Sequence, residues 1–194
     1  RTQLLMSIGG SIAASDVPPR LRSTPLVMLG PLAREVSYDL VHCFKNATLL
    51  ASLQGWLRQW DGDGRVSPAY WIGKEVLPYV DAAILSIDDV GDRRLIDLWK
   101  DMTRVLIVTK GRGGAELHIE SRWHHIEPIP VHEVDPTGGG DVFGAAYLIR
   151  YQEIGDPLDA ARFASCAASF CVEEEGTGGI PARDQVEERL RASL

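Results

Sequence analysis

The stretch Val134-Asp135-Pro136-Thr137-Gly138-Gly139-Gly140-Asp141-Val142-Phe143-Gly144-Ala145-Ala146 decides how this chain is read. Three consecutive glycines stand immediately before a run of helical character, and an acid occupies the first turn of that run. Glycines there let backbone N–H groups converge without side-chain obstruction. The positive end of the helix macrodipole lies behind them, so the turn is a ready anion site. An ordinary Gly-rich loop with Asp141 as a helix N-cap would show the same residues. A carboxylate beside an anion cradle repels a bound phosphate, however, unless it has a task such as taking a proton from an attacking hydroxyl.

Downstream of the turn the pattern predicts a helix from Asp141 to about Glu153, with Gly155 as its stop. Asp156-Pro157 reads as an N-cap followed by a proline in the first helical position. The helix it opens carries Ala160, Ala161, Ala164, Ala167 and Ala168, small enough to approach a neighbouring backbone or a flat ligand. Val186 and Leu190 mark a last amphipathic helix over Asp184 to Arg191.

Upstream lie four short apolar runs: Leu26–Leu29, Thr48–Ala51, Ala82–Leu85 and Val105–Val108. Strands apolar on every residue suit a parallel sheet covered on both faces. Between them, Val36, Leu40, Cys43 and Phe44, and then Leu95, Leu98, Trp99 and Met102, give the spacing of amphipathic helices. Gln54 to Gly64 is polar and Gly-rich and reads as a loop whose tryptophans pack as core or at an interface. This alternation predicts an open α/β fold, a mostly parallel sheet flanked by helices. After Val108 the pattern changes. Lys110 to Gly114 is a turn signal and Ala115 to Glu120 alternates, predicting an antiparallel hairpin, while Pro128 and Pro130 give Trp123–Val131 the look of an edge strand.

Composition narrows the class. The 194 residues are 45% hydrophobic and 24% charged, which fits one globular domain over 1–194 and excludes disordered, collagen-like and disulfide-dense chains. No uninterrupted apolar stretch nears the ~18–20 residues that cross a bilayer, so no membrane partner is expected. Twenty basic against 27 acidic residues leave a net charge of −7, which argues against a nucleic-acid surface but not against one locally positive pocket. Cys43, Cys166 and Cys171 are odd in number and lack metal-ligand spacing, which fits buried thiols in a reducing compartment and a cytoplasmic location. His124 and His125 are adjacent, so in a strand they face opposite ways and make no metal pair.

The segment from Asp135 to Leu148 resembles the C-terminal signature of the PfkB (ribokinase-like) carbohydrate kinases, Asp-Thr-x-Gly-Ala-Gly-Asp, with Gly139 standing where alanine is commoner. Thr109-Lys110-Gly111-Arg112-Gly113-Gly114 is similar to the family's Thr-x-Gly-x-x-Gly nucleotide loop. Ser86-Ile87-Asp88-Asp89 falls where the family carries Asn-x-x-Glu, and both outer positions differ. Gln54 to Gly64 is similar to a stretch in inositol-kinase-like members. The resemblance implies a ribokinase-like, Rossmann-like fold with the hairpin near the nucleotide site, and ATP-dependent phosphoryl transfer to a sugar or polyol hydroxyl. It implies Asp141 as general base and the amides of Gly138, Gly139 and Gly140 as the cradle of the transferring phosphate. It gives Ser86, Thr109, Gly111, Gly114, Thr137, Ala164 and Ala168 to the nucleotide, and Asp89 to the outer shell of Mg2+. Asp135, with Thr137, falls to a monovalent cation such as K+.

The resemblance covers the later two-thirds of a family member. The first βαβ region, the Gly-Gly sugar signature and the β-sheet lid that docks as a homodimer interface are missing, and Arg1 to Pro25 reads as a segment entered mid-fold. A rival reading is a non-catalytic nucleotide-binding or regulatory module on this fold. A third is a vitamin-precursor kinase, although the Cys-bearing anion loop used by some of those is absent.

Overall fold

The computed structural model describes residues 2–193. The chain divides into two compact units, one through Leu106 and one from Ile107.

The first unit is built on parallel strands. Strands β1 (Leu26–Leu29) and β2 (Thr48–Ser52) pair in parallel with Leu26 opposite Thr48. A two-stranded antiparallel hairpin, β3 (Arg58–Trp60) with β4 (Val66–Pro68), leaves this layer. Strand β5 (Ala82–Ser86) returns to it and pairs in parallel with β2, Leu50 opposite Ala82. Leu50, Ala51, Ala83 and Ile84 are buried whichever way their side chains point. Burial on both faces is what an all-apolar strand requires, and it is why these strands announce themselves in the sequence. Helix α1 (Arg94–Trp99) buries Leu95 and Trp99, while Leu98 of the same stripe stays open to solvent.

Two expectations in this unit are corrected. The stripe Val36-Leu40-Phe44 does not form an α-helix. Val36 forms an isolated parallel bridge with Ile12, and Tyr38–His42 is a five-residue 3₁₀ turn that buries the adjacent Leu40 and Val41. So short a segment before β2 cannot repay the cost of nucleating an α-helix. Nor is Gln54–Gly64 a plain loop: Trp56 and Leu57 are buried, and the chain then enters β3. Asp61-Gly62-Asp63-Gly64 turns the hairpin, the Asp61 carboxylate accepting the amides of Asp63 and Arg65 while Gly64 adopts φ 77°.

Of the tryptophans there, Trp56 is core and Trp60 is half-buried on β3. Trp56 and Trp71 stack at 5.5 Å, Trp71 lies 6.2 Å from Trp99, and Tyr38 stands edge-on to Trp56. Each buried indole has its N–H satisfied: Trp56 by the Val36 carbonyl, Trp71 by the Tyr38 hydroxyl and Trp99 by the Trp71 carbonyl.

Strand β6 (Leu106–Thr109) leads into the second unit. Strands β7 (Ala115–Ile119) and β8 (Arg122–Ile126) form the expected antiparallel hairpin, in register from Ala115–Ile126 to Ile119–Arg122. Its two-residue turn, Glu120-Ser121, has φ of 48° and 63°, the mirror-image geometry whose twist matches the strands, here built without glycine. Strand β8 stops at Ile126, before Pro128 and Pro130, because proline has no N–H to give a ladder. Helices α2 (Gly139–Ile154), α3 (Pro157–Cys171) and α4 (Arg183–Ala192) complete the unit.

Helix α2 starts two residues before the expected Asp141, with Gly139 and Gly140 inside its first turn, and ends at left-handed Gly155. Asp156 caps α3 by accepting the amides of Leu158 and Asp159. The alanine face of α3 packs on α2, and its Phe163, Cys166 and Ala167 meet Val186 of α4. Cys166 and Cys171 are buried free thiols. Among the described residues, no helix is long and apolar enough to cross a membrane.

Candidate functional site

The second unit assembles the predicted anion turn from backbone. The chain reaches it after Val134 and Asp135, whose amides both donate to the Val172 carbonyl, at 2.7 and 3.2 Å. The Asp135 carboxylate then accepts the Thr137 amide at 2.9 Å, closing a local turn. Gly138 sits left-handed at φ 84°, which a side chain would resist, and its carbonyl accepts the Val142 amide as the first bond of α2. Gly139 donates to the Pro136 carbonyl at 3.3 Å. The amides of Gly140 and Asp141 fall in the first turn, where no i−4 carbonyl exists, and no side chain caps this end of α2. A side chain added at Gly140 would meet nothing within 4 Å. The turn is therefore open, its donors uncapped, and Asp141 is exposed beside it.

Beneath the turn lies the end of α3. The Cys171 thiol faces the Thr137 carbonyl at 3.8 Å. Burial, reinforced by the carboxylates of Asp135 and Asp141, pushes that thiol's pKa up. The sequence assigns Cys171 only burial and Val172 nothing; at Gly179, a side chain would stand 2.5 Å from the Phe170 carbonyl. The available signal was the glycine cluster Gly176-Thr177-Gly178-Gly179 just past α3.

The predicted nucleotide loop follows β6. Thr109 ends the strand, and Gly111–Gly113 make a 3₁₀ turn with Gly111 at φ 54°. Lys110 donates its amide to the Gly114 carbonyl, and its ammonium binds Glu116 at 3.1 Å. Gly114 adopts φ 74° and presses so closely on Ile126 that a side chain would overlap the Ile126 carbonyl. Of the two alanines given to the nucleotide, Ala164 is fully buried in the helix packing, whereas Ala168 is half-buried.

Ser86 and Asp89 belong to the first unit. Ser86 caps the 3₁₀ turn Ile87–Asp89 by accepting the Asp88 amide. Asp89 is half-buried, with the Gln54 side-chain amide at 3.3 Å. Burial raises its pKa against the opposing pull of Arg58 and the Gln54 bond. Among the described residues, no group of three or more His, Cys, Asp and Glu side chains could hold a metal ion. One half-buried carboxylate suits a water-mediated contact to an ion carried by phosphate rather than a protein cage.

Comparison with known proteins gives this arrangement a lineage. A ribokinase of Bacillus subtilis is 42% identical over 86 residues, which is 44% of this chain and 29% of that protein. The chain thus matches less than a third of that relative's length. Among solved structures, a pyrophosphate-dependent kinase of the ribokinase family, seen as its sulfate complex, superposes with a TM-score of 0.79 at 18% identity, covering 96% of this chain and 69% of that one. The ribokinase of Arabidopsis thaliana, complexed with ribose and ATP, gives 0.71 at 20% identity, covering 94% and 61%. At such identities the likeness establishes the fold, which is ribokinase-like α/β. The profile described as pfkB family carbohydrate kinase matches residues 82–183, more than half of the chain and the whole of the anion turn, so the chain belongs to the pfkB family.

Proposed function

We propose that this chain, read as one ribokinase-like domain over 1–194, carries the donor site and general base of a kinase that moves the γ-phosphoryl group of ATP to a hydroxyl of a sugar or polyol. The observation that carries the reading is the exposed Asp141 in the first turn of an uncapped, glycine-built helix N-terminus. The names of its relatives, ribokinase among them, favour transfer over a binding module without chemistry.

In this reading the amides of Gly138 and Gly140 bind the terminal phosphate, while Gly139, whose N–H is held by the Pro136 carbonyl, keeps the turn closed between them; the α2 dipole stabilises the charge spread over the equatorial oxygens. The acceptor hydroxyl attacks in line: its O–P bond forms as the bond from the γ-phosphorus to the bridging oxygen breaks, and ADP leaves with the electron pair. Asp141 takes the hydroxyl proton. Transfer of this kind has a loose transition state, so positioning and charge stabilisation supply most of the rate. Thr109, Gly111 and Gly114 shape the backbone beside the nucleotide, with Ala168 offering the open part of α3. Mg2+ bound to the phosphates would neutralise developing charge, with Asp89 the residue assigned to its outer shell and Ser86 assigned to the nucleotide. Asp135 and the Thr137 carbonyl are the oxygens that would hold a monovalent cation next to the turn.

The test is an ADP-release assay with ribose, fructose and myo-inositol as acceptors, and with pyrophosphate as an alternative donor followed by phosphate release. Asp141→Asn should lower kcat by about 10²–10⁴-fold, the range for losing a general base, while ATP still binds. Parent-level turnover in that variant refutes the assignment.

A further inference from the structure

The end of α3 holds the anion turn and the two residues that lead into it. The Val172 carbonyl holds the amides of Val134 and Asp135, and the Cys171 thiol meets the Thr137 carbonyl. A side chain at Gly138 would stand 3.7 Å from the Cys171 sulfur, and one at Gly139 would stand 3.1 Å from a Val172 methyl. On the other side, Gly179 lies against the carbonyls of Phe170 and Cys171, so α3 has no room to retreat there. The turn is thus pinned by backbone bonds at its start and by the α2 ladder at its end. Between these pins the turn rests on two side chains, Val172 under Gly139 and Cys171 under Gly138, and only the second also bonds the turn, through the Thr137 carbonyl.

We infer that Cys171 is a positioning residue for phosphoryl transfer: its small size and its thiol bond to Thr137 fix where the Gly138–Gly140 amides stand. The inference rests on the reading of that turn as the phosphate cradle. Burial keeps the thiol protonated, so it remains a donor to the Thr137 carbonyl. A larger side chain cannot be absorbed by sliding the turn, because both ends are held. It must lift Gly138, and a misplacement of ~1 Å in a reacting group costs on the order of 10²-fold in rate.

Cys171→Leu and Cys171→Ser separate size from mere presence. Leucine should lower kcat roughly 10–100-fold with the acceptor KM within about twofold of the parent's, the split expected when only the transferring group is misplaced. Serine, which keeps the size and a donor, should stay within about threefold of the parent. Thermal unfolding of each variant is measured alongside. Parent-level kcat in Cys171→Leu overturns the inference, as does a loss of activity in both variants that tracks a common fall in Tm.

A second readout needs no turnover. In the ¹⁵N-labelled parent, titration with inorganic phosphate should shift the Gly138 and Gly140 amide resonances saturably, and Cys171→Leu should abolish the response. If the parent transfers no phosphoryl group yet shows this difference, the kinase reading fails and what stands is that Cys171 sets the phosphate-binding amides. If the leucine variant responds as the parent does, the positioning role fails alone. Glycine amides that ignore phosphate in the parent overturn both.

Discussion

Gly114 and Ile126 approach so closely that no side chain fits between the α-carbon of the first and the carbonyl of the second. This contact joins the Thr109–Gly114 loop to the end of β8 and fixes Gly114 at φ 74° and ψ −141°, a conformation open only to glycine. Gly114→Ala therefore combines backbone strain with overlap, and neither can be relieved without moving the other. It should destabilise the protein by about 2–4 kcal/mol, in the upper part of the usual range for point mutants. Urea unfolding followed by far-UV circular dichroism is the measurement. An unchanged midpoint would mean that the loop sits elsewhere.

The stack of indoles in the first unit gives a second prediction. Trp99 is fully buried and bonds the Trp71 carbonyl. Trp99→Ala should cost about 3–5 kcal/mol, as large aromatic truncations do. Trp99→Phe should cost less, since it keeps most of the volume and strands one carbonyl. If the two variants unfold at the same denaturant concentration, packing is not what Trp99 contributes.

Asp89 sets a pH dependence whose sign can be worked out. Burial raises its carboxyl pKa in the folded state, so the folded protein holds that proton more tightly than the unfolded chain. Its contribution is fully present below the ordinary carboxylate pKa and is lost as pH rises through the raised value. Asp89→Asn should therefore gain stability relative to the parent as pH climbs from the acid side of the carboxylate range toward neutrality. A difference in Tm that is constant from pH 3 to pH 7 contradicts the burial of this group.

Thiol chemistry distinguishes the three cysteines. Cys166 and Cys171 are buried and held above the ordinary thiol pKa, whereas Cys43 is partly open. A thiol-exchange reagent at neutral pH should modify Cys43 quickly in the native protein and the other two only in denaturant. Rapid native reaction at Cys171, mapped by mass spectrometry, would contradict the packing beneath the anion turn.

The sequence carried the strands and the turn for the same reason: in both, one physical demand fixes nearly every residue. A strand covered on both faces must be apolar throughout, so β2, β5 and β6 stood out, and β1 did so with only Leu29 fully enclosed. A turn built from amides must shed its side chains, so Gly138–Gly140 stood out. What was hidden depends on partners distant in the chain. Cys171 and Val172 look like any small apolar helix end until they are seen beneath Thr137 and Gly139. The alanine stripe of α3 could not say that Ala164 is enclosed while Ala168 keeps a surface. The 3₁₀ turn Tyr38–His42 shares its apolar spacing with an α-helix, and only its brevity separates them.

Four of the five tryptophans, Trp56, Trp60, Trp71 and Trp99, lie in the unit that ends at Leu106, and the fifth, Trp123, sits on a partly open strand of the other. Emission excited at the indole band thus reports mainly on the first unit, while the circular dichroism of α2, α3 and α4 reports on the second. Recorded together during one melt, the two optical signals tell whether the halves of this protein come apart in a single event or in sequence.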